Sequence, residues 1–172
     1  SMGKLVGVDW HLGPEMKSTG EVMGVDRDFA GALSKALLAA NLNLTRKMGV
    51  LLSIADQNKA EAIDLIKELG QAGCPLYATE GTAAMIAALG IPVTVANKRL
   101  GEGHPNVVDL ITEGTVGAVI NTLSGDTSVM QDGFFIRRAA VERQIPCFTS
   151  LDTARAAVES LLTERNTYSV LP

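Results

Sequence analysis

From Met48 onward the chain alternates short apolar runs with amphipathic stretches, and that alternation limits its fold more than any other feature. Residues 49–55 (GVLLSIA) are almost continuously apolar. Asp56-Gln57-Asn58 follows, then Ala62, Ile63, Leu65, Ile66 and Leu69 at helical spacing, ending in glycines 70 and 73. Four further short runs, at 76–79, 92–96, 116–120 and 145–149, precede helical patterns near 83–89, 107–111, 135–143 and 154–162. Strands apolar on both faces must be covered on both, and strands separated by helices run parallel. The pattern therefore predicts a three-layer α/β unit, a parallel sheet of about five strands with helices on both faces in the Rossmann-like manner.

The first quarter of the chain reads differently. Residues 3–25 are glycine-rich, and 11–21 show no apolar period; helical spacing starts near Asp26 with Phe29, Leu33, Ala36, Leu37 and Ala40, then fades at Asn41-Leu42-Asn43. A loop with one helix cannot bury a core of its own. Residues 1–45 are thus expected to be a non-autonomous loop-plus-helix tail of a preceding domain, with Ser1-Met2 the scar of a removed tag, and residues 46–172 the α/β domain. The net charge of −4 gives no general attraction to nucleic acid or an acidic membrane, so any anion site must be local. No apolar run reaches membrane-span length, and no signal-peptide pattern opens the chain. Cys74 and Cys147, each beside a proline and far from any Cys/His cluster, read as buried free thiols in a reducing compartment. No metal site is expected.

In a doubly wound sheet, ligands sit beyond the carboxyl ends of the strands. Those ends carry Ser53 with Lys59, Thr79 with Thr82, Asn97 with Lys98, Asn121 with Thr122, and Thr149-Ser150. Two cations with hydroxyls and amides suit a phosphate monoester, which needs charge and neutral donors together. At Thr79-Glu80-Gly81-Thr82 an apolar run gives way to an Ala-rich helical stretch, so backbone N–H groups and two hydroxyls converge at the positive end of a helix. The same residues also serve ordinary helix capping, and Lys59 alone also reads as a surface lysine. Glu80 sits awkwardly in an anion cradle. His104 reads as a loop histidine, Arg137-Arg138 as the solvated face of a helix, and Gly101-Glu102-Gly103 lacks the context of a dinucleotide fingerprint.

Several of these stretches resemble one family. Residues 12–24 (LGPEMKSTGEVMG) resemble the end of the second ATP-grasp half of the carbamoyl-phosphate synthase large subunit, and residues 48–162 its regulatory domain of methylglyoxal-synthase-like fold. Leu51-Leu52-Ser53, Ala78-Thr79-Glu80-Gly81-Thr82-Ala83, Val95-Ala96-Asn97-Lys98, Ile120-Asn121-Thr122 and Ile136-Arg137-Arg138 carry the likeness. The resemblance implies a non-catalytic, allosteric, effector-binding domain of a cytoplasmic ligase serving pyrimidine and arginine biosynthesis. The parent enzyme uses ATP with Mg or Mn, and the fragment itself is expected to hold no cofactor. The implied partners are the rest of the large subunit, the glutaminase small subunit and a nucleotide monophosphate effector, UMP or IMP in bacterial members, with a homo-oligomer as a further expectation. By position, the resemblance sets the effector phosphate against Lys59, Thr79, Thr82 and Lys98 with Ser53, Asn121 and Thr122 nearby, and the base and ribose against Val107, Phe135 and Ile136. Thr149 resembles a position near the ornithine site of some members. Leu123 stands where the family carries a second threonine.

Related activities fit less well. Methylglyoxal synthase needs aspartates to move protons, yet the chain has no Gly-Gly-Asp near Gly103-His104-Pro105-Asn106, and Asn121-Thr122-Leu123 replaces an Asp-Pro-Leu. The IMP cyclohydrolase-like domain resembles residues 50–95, but its histidine-rich run is reduced to His104-Pro105-Asn106-Val107. A structural or oligomerisation module without ligand is the non-enzyme alternative.

Overall fold

The computed structural model describes residues 22–97, 105–122 and 127–163. The run at 12–21, Lys98, the loop at 101–104 with His104, and Leu123-Ser124 lie outside the described residues. In chain order the elements are α1 (Phe29–Ala39), β1 (Val50–Ser53), α2 (Lys59–Gln71), β2 (Leu76–Thr79), α3 (Glu80–Ala88), β3 (Thr94–Ala96), α4 (Val107–Thr112), β4 (Ala118–Asn121), α5 (Thr127–Glu142), β5 (Cys147–Phe148) and α6 (Leu151–Thr163). A 3-10 turn at Asp56–Asn58 leads into α2.

The five described strands are all parallel, in the order β3-β2-β1-β4-β5. Val50 of β1 is in register with Leu76 and Ala118, and Ser53 with Asn121. The chain builds outward from β1 to β3, then returns to the far side of β1 to lay down β4 and β5. That reversal puts a crevice between the carboxyl ends of β1 and β4. Alternate side chains along β1 divide the core in two. Val50, Leu52 and Ile54 enter one cluster with Ala62, Leu65, Ile66 and Leu69 of α2, Ala83 and Ile86 of α3, and Ala154, Ala157 and Val158 of α6. Leu51 enters the other with Val107, Leu110 and Ile111 of α4 and Ile136, Ala139 and Ala140 of α5. The predicted three-layer, parallel α/β architecture is thus present, with β1 covered on both faces.

Helix α1 shares the first core. Leu37 and Leu44 are buried in it, α1 lies against α6, and Asn41 Nδ2 donates to the Gln144 carbonyl at 2.9 Å. Helix α6 is held to α2 in turn, because Arg155 Nη2 donates to the Glu61 carbonyl at 2.6 Å and Nη1 lies 3.3 Å from Glu61 Oε1. Expected boundaries shift at several elements. β2 passes into α3 with no turn between them, β3 starts at Thr94 rather than 92, and α5 starts at Thr127, well before the expected 135. The apolar period that marks a helix is missing from 127–133, where polar residues and Gly133 dominate. Among the described residues no helix is long and apolar enough to cross a membrane.

Two glycines give a stability test. At Gly49 a Cβ would lie 2.5 Å from the Thr115 carbonyl oxygen and 3.3 Å from Val116 Cα, backbone atoms that cannot rotate away. Gly49→Ala is expected to destabilise the fold by about 1–3 kcal/mol through overpacking. Gly73, past the end of α2 with φ +76° and open space around it, is expected to cost about 1–2 kcal/mol as alanine, from backbone strain alone. Urea unfolding of both variants measures these losses.

Candidate anion-binding site

Five of the strand-end residues come together. Ser53, Thr79, Thr82, Asn121 and Thr122 are all buried, at 7%, 8%, 1%, 3% and 8% exposure, in a fold whose other buried side chains are overwhelmingly apolar. Hydrogen bonds join them. Ile54 N donates to Thr82 Oγ1 at 3.0 Å, Ala55 N to Thr122 Oγ1 at 2.7 Å, Thr79 Oγ1 to Thr82 Oγ1 at 3.4 Å, and Asn121 Nδ2 to the Ser53 carbonyl at 3.5 Å. The segment leaving β1 has run out of neighbouring strand backbone, and the two threonines satisfy its N–H groups instead. Thr82 reaches it from α3 on one side and Thr122 from the end of β4 on the other.

The starts of α2 and α3 differ from those of α1 and α4. Asp28 caps α1 by accepting from Gly31 N, and Asn106 caps α4 by accepting from Val108 N and Asp109 N. Thr79 and Asn58, which hold the same position before α3 and α2, make no side-chain capping bond. The capping role that the sequence left open for Thr79 is therefore not used; its hydroxyl turns to Thr82. Glu80 is exposed at the first position of α3, where a carboxylate is favourable to the helix dipole and points to solvent.

Lys59 stands where a cation is poorly placed without an anion beside it. It opens α2, and its ammonium lies against α3 as well, since a Cβ on Gly81 would be 3.2 Å from Lys59 Nζ. Positive helix ends disfavour a cation at both places. Asp56, in the preceding 3-10 turn, supplies a counter-charge: its Oδ1 is 2.7 Å from Nζ, and the hydrogen bond and charge of Lys59 hold its carboxyl below the usual carboxylate range. A carboxyl with a lowered pKa adds stability above the ordinary range and loses it as pH falls through the lowered value. Asp56 is the residue sequence reasoning passed over on this side, though its spacing of three from Lys59 is the available signal.

The remaining predicted residues divide. Val107 and Ile136 are enclosed in the second core at 1% and 0% exposure, whereas Phe135 is exposed and meets Phe134 edge-to-face with ring centroids 6.0 Å apart. Asn97 pairs with the far side of its loop, its N–H donating to the Pro105 carbonyl at 2.9 Å and its carbonyl accepting from Val107 N at 3.0 Å. The solvated-face reading of Arg137-Arg138 holds for Arg138 only. Arg138 is exposed and bonds Glu142 at 2.8 Å, while Arg137 is half-buried and donates to Asn121 Oδ1 at 2.7 Å. Cys74 is buried and Cys147 half-buried, and burial pushes both thiols up. A surface cleft of about 600 Å³, lined by Lys67, Cys74, Pro75, Leu89 and Pro92 among others, opens at the opposite, amino end of the sheet.

Replacing Thr82 with valine keeps the shape and removes the acceptor for Ile54 N. A buried N–H left unpaired costs about 1–3 kcal/mol. Thr79→Val, which gives up only the 3.4 Å hydroxyl contact, is expected to cost less. Chemical denaturation of the two variants tests that order.

A family model for the MGS-like domain matches residues 61–149, just over half of the chain. Among curated proteins, the carbamoyl phosphate synthase large chain of Thermomicrobium roseum is 55% identical over 172 residues, all of this chain and 16% of that protein. The C-terminal sections of the carbamoyl phosphate synthase large chain from Methanopyrus kandleri and Methanocaldococcus jannaschii are 44% and 43% identical, across 94% and 92% of this chain and 30% and 25% of theirs. The chain therefore spans less than a third of the length of each of these relatives. With the family model matching more than half of its length, the chain belongs to the MGS-like domain family.

Proposed function

We propose that the strand-end site binds the phosphate of a nucleoside monophosphate, of the UMP or IMP type, and that the domain acts as the allosteric, effector-sensing part of a carbamoyl-phosphate synthase large subunit. The observation that carries the reading is the Lys59 ammonium set against two helix starts that have no side-chain cap, with buried hydroxyls alongside. A phosphate there accepts from backbone N–H groups, hydroxyls and an ammonium at once, and such charge-assisted bonds are the strong ones. Similarity along the whole chain to large chains of carbamoyl phosphate synthase supports the placement in that enzyme. In this reading the rest of the large subunit and the glutaminase small subunit are the partners, and the ATP and metal chemistry belongs to them, in the cytoplasm. Lys98 is the second cation and Phe135 the apolar surface offered to base and ribose. Regulation follows if the effector binds one state of the parent enzyme better than another.

Two features of the site bear on what a ligand does. It can join or displace Asp56 on Lys59, whose ammonium has three donors and gives one short bond to that exposed carboxylate. It must leave intact the bonds from Ile54 and Ala55 to the threonines, which brace the rim it sits on.

Calorimetric titration of the chain with UMP and with IMP tests the proposal. Saturable binding is expected, and no heat at millimolar nucleotide would leave a structural module in its place. Lys59→Ala is expected to weaken binding about ten-fold, the scale of a lost charged hydrogen bond. Asp56→Asn frees Lys59 and is expected to tighten binding about two- to five-fold, the scale of an exposed ion pair. Arg138→Ala, out on the solvated face, is expected to leave it unchanged.

A further inference from the structure

Arg137 and Arg138 are adjacent on α5 but face different surroundings. Arg137 turns back toward the strand ends, where its Nη1 donates to Asn121 Oδ1 at 2.7 Å. A guanidinium has only donors, so the carboxamide atom facing it is the oxygen and the NH2 must face away. On that other side, Asn121 Nδ2 meets the Ser53 carbonyl at 3.5 Å, the outer limit of a hydrogen bond. That oxygen already accepts from Thr122 N at 3.2 Å. Among the described residues, Asn121, only 3% exposed, thus has an amide group with two hydrogens and one long bond beside Ser53 and Thr122.

The approach of Arg137 depends on Gly133, one turn earlier on α5. A Cβ there would lie 2.8 Å from Arg137 Nη1 and 3.2 Å from Asn121 Oδ1. A Cβ at 133 would crowd the guanidinium as it now lies, so the end of the arginine would have to shift from Asn121. A glycine in mid-helix is unfavourable relative to alanine, which makes a close approach the physical reason for its presence.

We propose that Arg137, admitted by Gly133, is a positioning residue that fixes Asn121 as an obligate hydrogen-bond donor at the strand ends, so that the site selects ligands presenting an acceptor oxygen there. The inference rests on the reading of this site as a phosphate site and adds to it the residue that sets its polarity. Arg137 itself does not touch the ligand in this scheme. Its effect is exerted through the orientation of one carboxamide.

The test uses UMP titrations of the whole chain and its Arg137→Met, Arg137→Lys, Gly133→Ala and Gly133→Ala/Arg137→Met variants. Arg137→Met is expected to weaken binding about five- to ten-fold, the scale of one misplaced donor, and Arg137→Lys, which still donates, to stay within about three-fold of the parent. Gly133→Ala is expected to weaken binding with little net change in its denaturation midpoint, because the helix gain from alanine offsets the lost contact. Both variants break one contact, so the double variant should bind no more weakly than Arg137→Met alone. Parental affinity in Arg137→Met and Gly133→Ala, or losses that multiply in the double variant, would overturn the proposal. If the parent chain itself takes up no UMP at millimolar concentration, the phosphate-site reading fails separately. Positioning is then read from the Asn121 side-chain NH2 resonances of the ligand-free chain. Sharp signals in the parent and in Arg137→Lys that broaden or double in Arg137→Met support it; identical signals in all three overturn it.

Discussion

The structure depends on β1 being enclosed on every side. Val50, Leu51 and Leu52 have no exposed surface, β2 and β4 flank the strand in register, and helices cover both faces. Such a strand satisfies its backbone only as far as its neighbours run. Beyond Ser53 the chain must still pass from the middle of the sheet to the head of α2, with N–H groups that neighbouring strands no longer serve. Thr82 and Thr122 serve them. The hydroxyls proposed to flank an anion are therefore, first of all, what lets the central strand end where it does.

The charges follow from the same place. Helices α2 and α3 both start at the rim because each follows a strand that ends there, so two positive helix ends come together around Gly81. Lys59 adds a third positive group. Left alone these would repel, and Asp56 relieves part of that by pairing with Lys59 from an exposed turn. In the proposed reading, this weak, solvated carboxylate is what a phosphate with more acceptor oxygens would compete with.

The layers and the clustering of polar residues at the strand ends were legible in the sequence because a buried parallel sheet writes itself as short apolar runs between amphipathic helices. The five strands and the pairing of Ser53, Thr79, Thr82, Asn121 and Thr122 at one rim follow from that pattern and the strand-end rule. Contacts that depend on one side chain's direction were not legible. Nothing in the pair Arg137-Arg138 tells which guanidinium turns inward; that is decided by the space over Gly133, which belongs to the three-dimensional helix. Val107 and Ile136 carry the residue types of a pocket wall, but the same types fill cores, and α4 and α5 bury both. The start of α5 was hidden for a related reason, since 127–133 lack the apolar period by which a helix is recognised.

Arg155 has a mechanical consequence. Its guanidinium fastens α6 to the first turn of α2, two residues from Lys59, while α6 also supports α1, the helix through which the chain enters the domain. The lysine at the rim and the incoming chain are thus mounted on one rank of three helices, on the same face of the sheet. A shift at the head of α2 would therefore be felt at α1 through α6, which couples the strand-end rim to the first described helix of the chain.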